Sequence, residues 1–187
     1  MSQRPEEITT TETIKPNDIS GKLSQEIIKL DDVVNLFADF VSARTIEKRE
    51  SLRSEILANA SPESILNSAL SEYRQKGNEE RLVFASSLLG DFGRQALKPL
   101  KTLVASSSPE CEYFVLLIPY LAGISSSEKI ELLTKLAKNE DVDVRFCVVE
   151  ALREIEPQSD TFPVWKILAE DEDEEIRYQA KDEISID

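Results

Sequence analysis

The sequence predicts an all-α fold: a right-handed α-solenoid of about four helical hairpins, preceded by an N-terminal helical region. Three observations carry that expectation. Apolar residues recur at i, i+3, i+4 and i+7 over most of the chain, which puts one apolar stripe along each helix. Leu-Ala-Lys-Asn-Glu-Asp-Val-Asp-Val-Arg (136–145) superposes without a gap on Leu-Ala-Glu-Asp-Glu-Asp-Glu-Glu-Ile-Arg (168–177), a period of 32. A fixed period of this size marks stacked units, each unable to bury its apolar face alone. The composition agrees: the 187 residues are 41% hydrophobic and 31% charged, the balance of a folded soluble chain.

The first 22 residues are rich in Thr, Glu, Pro and Ser, with isolated Ile8, Ile14 and Ile19. Such a segment buries too little to offset its ordering entropy and is expected to be a disordered tail. Residues 23–61 lack glycine, and before Ser61 they lack proline; their spacing gives two helices, broken near Ser42 to Thr45, that pack on the array. The array itself spans 62–187, with units near 63–93, 94–123, 127–156 and 160–185. Ser61-Pro62 opens the first unit as a capping hydroxyl followed by a proline whose missing N–H costs nothing in the first turn. Gly77 ends that helix.

In the second unit Ser108-Pro109 opens a helix and Gly123 closes it. Tyr113 to Ile118 is apolar on every side, the pattern of a helix sandwiched within the array. The alternative is an exposed apolar groove lined by Tyr113 and Tyr120; Trp165 reads as a packing residue of the last hairpin, with a place in such a groove as an interface anchor the alternative. In the third unit Ile130, Leu132, Leu133, Leu136 and Ala137 line the first helix. Asp141 caps the second, whose stripe is Val144, Cys147, Val148, Ala151, Leu152 and Ile155.

The pattern Leu-x-x-Leu…Asp-x-x-Val-Arg-x-x-Val-Val-x-Ala-Leu at 133–152, its copy at 165–184, and Ala-Leu-Lys-Pro-Leu-Lys-Thr-Leu at 96–103 resemble HEAT repeats. They are similar to the short HEAT-like type named after phycobilisome lyases, over about residues 62–187. Two units depart from the pattern: Glu112 and Tyr113 stand where an arginine is expected, and Arg81-Leu82 is shifted by one. The resemblance implies structural roles for Asp141, Arg145, Asp173 and Arg177, with Arg145 reaching toward the Asp171/Asp173 turn of the next unit. An arginine ladder for an anionic ligand is the alternative.

Composition excludes several functions. There is no histidine, so no imidazole relay, catalytic triad or zincin motif is available. Acidic residues number 36 against 22 basic, a net charge of −14, which disfavours nucleic acid. The longest mostly apolar stretch, Tyr113 to Ile124, contains Pro119 and is too short for membrane insertion. Cys111 and Cys147 sit in apolar helical runs and read as buried thiols of a reduced, cytoplasmic protein, with a disulfide or metal pair as the alternative. Residues 170–175 read Glu-Asp-Glu-Asp-Glu-Glu but lack the glycine and twelfth-position glutamate of a calcium loop. No catalytic, cofactor or metal residue is assigned.

The expected function is therefore a non-enzymatic scaffold or adaptor that binds another protein on a concave helical face. Contact positions are Glu150, Arg153, Glu154, Gln179, Asp182 and Glu183, with Asp171 and Glu172 on the rim, and the acidity suits a partner with a basic patch. The alternative implied by the resemblance is a phycobilisome-lyase-like subunit or chaperone, acting in bilin attachment to, or removal from, a phycobiliprotein.

Overall fold

The computed structural model describes residues 30–156 and 160–185. The tail expected at 1–22 lies outside the described residues. Among the described residues ten α-helices follow in order: α1 Leu30–Ser42, α2 Ile46–Asn59, α3 Pro62–Lys76, α4 Glu79–Phe92, α5 Leu97–Ala105, α6 Glu112–Val115, α7 Ser126–Leu136, α8 Val142–Arg153, α9 Phe162–Leu168 and α10 Glu174–Ser185. Among the described residues every regular element is helical, with short 3₁₀ turns at Gly93–Ala96, Pro109–Cys111 and Ile118–Tyr120.

The boundaries follow local chemistry. Ser61 and Ser64 form a reciprocal capping box ahead of α3, and Gly77 ends the helix in the left-handed region at φ 67°, which a glycine adopts without Cβ strain. Asp141 accepts the Asp143 amide at the start of α8, and Ser125 with Glu128 forms a second capping box before α7. Glu128 also receives the Arg94 guanidinium at 2.9 and 3.0 Å, a clamp between consecutive units. Arg94, then Ser125, holds the Glu128 carboxyl down to about 2 from an ordinary 4.5. A depressed carboxyl stabilises the fold fully above its unfolded value and loses that contribution as pH falls toward its folded one. A side-chain carbon NMR titration of Glu128 is therefore expected to have its midpoint near 2; a midpoint near 4.5 contradicts the clamp.

The helices sort into two layers. The first helices pack in series, α3 on α5, α5 on α7 and α7 on α9, and so do the second helices, α4 on α6, α6 on α8 and α8 on α10. Within units, α3 lies along α4, α7 along α8 and α9 along α10. Leu82, Leu88, Leu89, Leu132, Leu133, Val144, Val148, Leu152, Val164 and Leu168 are fully enclosed between the layers. The N-terminal pair joins this scheme: α1 packs along α2 and on α3, and α2 packs on α4. Its Phe40 meets Phe84 edge-on at 5.3 Å, and Arg53 binds Asp91 at 2.6 Å. Instead of only resting on the array, α1 and α2 extend both layers.

The second unit departs most from expectation. The segment expected as one sandwiched helix is a 3₁₀ turn, the four-residue α6 and another 3₁₀ turn. Pro119 supplies the cause: it has no N–H, and its ring clashes with the carbonyl four residues earlier, that of Val115, where α6 ends. The segment is not buried all round either, since Leu116 is 49% and Tyr120 65% exposed. Gly90 of α4 and Gly93 just after it make room for the segment. A Cβ on Gly90 would lie 3.0 Å from Leu117 Cδ1, and one on Gly93 would lie 2.8 Å from the Ala122 carbonyl oxygen.

Candidate partner-binding face

The repeat is visible atom by atom at the turns. Asn139 Oδ1 accepts the Asp141 amide, and 32 residues later Asp171 Oδ1 accepts the Asp173 amide, both at 2.9 Å. Arg145 donates through one nitrogen to the carbonyls of Asn139 and Glu140; Arg177 donates in the same way to those of Asp171 and Glu172. Arg145 also reaches the next unit, giving Asp171 two bonds at 2.8 and 3.1 Å and Glu172 one at 3.2 Å. The Asp171 and Arg145 side chains are only 5% and 6% exposed. Arg145 is therefore the pin between the last two units.

The first unit solves the same problem differently. Its turn is one residue shorter before the arginine, so Arg81 points back into its own hairpin, 2.7 Å from Glu72 and stacked 5.0 Å over the Phe37 ring of α1. The tie to the next unit falls instead to Arg74 and the buried Glu110, 2.8 Å apart. Arg74 holds the Glu110 carboxyl below its ordinary range. Sequence reading missed this pair because Arg74 and Glu110 occupy no shared repeat position.

Several expected contact residues are brought together on the second-helix layer. Glu150 and Arg153 pair at 2.8 Å, and Arg153 reaches Glu183 of α10 at 2.7 Å. Tyr120 donates to Glu154 at 2.7 Å, joining α8 to the turn after α6. Gln179 bonds Glu175 on α10 itself, and Asp182 is exposed beside it.

Other expectations need correction. Asp171 is enclosed by Arg145 and is no rim contact, whereas its neighbour Glu172 is exposed. Asp173 keeps the structural role expected of it, capping α10 by accepting the amides of Glu175 and Ile176. Much of the 170–175 run thus serves the turn and the positive end of α10. Trp165 is buried in the core of the last hairpin at 2% exposure and does not line a groove with Tyr113 and Tyr120. Tyr113 is half-buried and packs its ring 6.0 Å from that of Tyr73. Cys111 and Cys147 are free thiols; burial pushes Cys111 up to about 11, and burial with Glu112, Asp143, Glu150 and Asp141 raises Cys147.

Charge divides between the layers. Among the described residues of α4, α6 and α8, the exposed cation is Arg153, held by Glu150 and Glu183. Carboxylates Glu79, Glu80, Glu112, Asp143, Glu150 and Glu154 are spread over the same helices. The second layer's lysines are Lys48 of α2 and Lys181 of α10; the other lysines of the described helices, Lys76, Lys98, Lys101, Lys129, Lys135 and Lys166, stand on the first-helix layer. There a shallow groove of about 530 Å³ runs along α5, but Arg94, Lys98 and Lys101 in it pair with Glu128, Glu63 and Glu131. No group of histidine, cysteine and carboxylate side chains suited to a metal occurs among the described residues, and none of their helices is long and apolar enough to cross a membrane.

The paired layers and the recurring turn are those of a helical repeat. Residues 115–185 match the family model of HEAT repeats. The matched HEAT segment runs from the end of α6 through α10 and contains both copies of the Asn/Asp-x-Asp turn and both arginines. No curated protein and no solved structure matches the chain.

Proposed function

We propose that the chain is a non-enzymatic scaffold or adaptor, a right-handed solenoid of HEAT-like hairpins whose second helices line a concave face that holds another protein. The observation that carries this reading is the division of charge. On α4, α6 and α8 acidic and apolar side chains are exposed together, while Arg94, Lys98 and Lys101 along α5 pair with neighbouring carboxylates. Solenoids offer extended surfaces built from repeated positions and need no catalytic group. An acidic face steers basic partners, at rates that fall with salt. Glu150, Glu154, Gln179, Asp182, Glu183 and Glu172 are the proposed contacts, with Arg153 ordering the carboxylates around it.

The test is affinity purification with the full chain, followed by hydrogen exchange on the recovered complex. Protection concentrated on the second helices supports the reading. The lyase-type alternative draws on the repeat likeness alone; co-expression with a bilin and a phycobiliprotein separates it, since unchanged chromophore attachment removes it.

A further inference from the structure

The part of the second-helix layer formed by α4, α6 and α8 has a more specific content, and the inference from it rests on the scaffold reading above. Val83 is 56% exposed on α4, and Leu116 and Tyr120 are 49% and 65% exposed at and after the end of α6. They stand on adjoining elements, since α4 packs on α6 and α6 on α8. Beside this apolar strip the charge is negative, from Glu79, Glu112 and Asp143 at the starts of the three helices.

We propose that this face docks a basic amphipathic helix of the partner protein, with its apolar stripe on Val83 and Leu116 and a lysine or arginine side chain against Glu112.

Three features favour that occupant over a neutral or acidic one. The break imposed by Pro119 leaves Leu116 in solvent on a surface otherwise edged by carboxylates, so an occupant that covers it must also accept their charge. Glu112 is crowded: burial first, then the charges of Asp143, Asp141 and Glu79, raises its carboxyl above the ordinary range against the opposing hydrogen bond with Tyr113. A cation brought to this position relieves like-charge repulsion that the chain does not neutralise itself. The Tyr73 and Tyr113 rings lie alongside, and aromatic faces attract ammonium and guanidinium groups. The leucine-rich stripe of an amphipathic helix is the common complement of such a surface.

The experiment uses the full chain and a fluorescent peptide of about 18 residues, long enough to form a helix, in which leucine and lysine are patterned on opposite faces. Anisotropy titration is expected to give binding that weakens with salt. A scrambled peptide of the same composition is expected to bind at least about tenfold more weakly. Leu116→Ser and Glu112→Gln, each checked for unchanged melting, are expected to weaken the patterned peptide by about tenfold, the scale of an interface hot spot. Glu131→Gln on the first-helix layer is expected to leave it unchanged. Absence of binding, equal binding of the scrambled peptide, or wild-type affinity in both Leu116→Ser and Glu112→Gln overturns the proposal. If only changes at Gln179 and Glu183 of α10 reduce binding, this docking face is wrong and the scaffold reading stands. If no change on any second helix affects the purified partner, the scaffold reading falls with it.

Discussion

Arg145→Ala is expected to destabilise the chain by about 3–5 kcal/mol, because it leaves the enclosed Asp171 carboxylate without its cation. The side chain does more than pair a charge. It donates to two carbonyls of its own turn and to two carboxylates of the next, so its removal also leaves those carbonyl oxygens without their donor. Urea unfolding of the full chain measures the loss. Asp171→Ala is expected to cost a similar amount, and the two together much less than their sum, since each single change already removes the shared interaction. Replacing both by leucine is expected to recover part of the stability, because a buried ion pair repays its desolvation only partly. A loss below about 1 kcal/mol for Arg145→Ala, the range of an exposed pair, contradicts the role assigned to this contact.

Gly93→Ala is the second large effect, expected at about 3–5 kcal/mol. The residue has φ 50° and ψ −122°, a region that side chains occupy at a cost of about 1–3 kcal/mol. Its Cβ would also lie 2.8 Å from the Ala122 oxygen and 3.3 Å from the Ala122 Cβ, and relieving such overpacking costs about 1–3 kcal/mol more. Gly77→Ala is the matched control: φ is 67°, but nothing lies within 4 Å of the new atom. Only the left-handed penalty remains there, about 1–2 kcal/mol. Equal losses at the two positions in thermal melts would mean that close approach of the 116–123 segment to α4 does not matter.

What was legible in the sequence was short-range. A turn acid, an arginine four residues on and an apolar stripe recur every 32 residues in the last two units, and they build the same hydrogen bonds in both. The HEAT-like likeness read from the sequence spans about 62–187, and the HEAT match covers 115–185 of it, the part that holds those residues. The misreadings come from longer-range effects. The apolar run at 113–118 looks like a buried helix, but one proline four residues beyond Val115 decides its shape. The sequence offers Asp171 both as the target of Arg145 and as a rim contact; the expected pairing forms, and it encloses the carboxylate and takes it off the rim. Trp165 reads first as a packing residue, with an interface anchor as the alternative, and the assembled layers bury it. The role of α1 and α2 had no repeat signature, since their place depends on ring packing at Phe37 and Phe40. The face at α4, α6 and α8 was only half visible: Tyr113 and Tyr120 stood out, but the company of Val83, Leu116 and Glu112 depends on the stacking.

Which layer receives the partner is read most directly by hydrogen–deuterium exchange of the full chain, free and in complex with its purified partner. The predicted result is new protection on α4, the 112–120 segment and α8, with α3, α5 and α7 unchanged. Protection confined to the first helices, or none on either layer with a partner bound elsewhere, would contradict it.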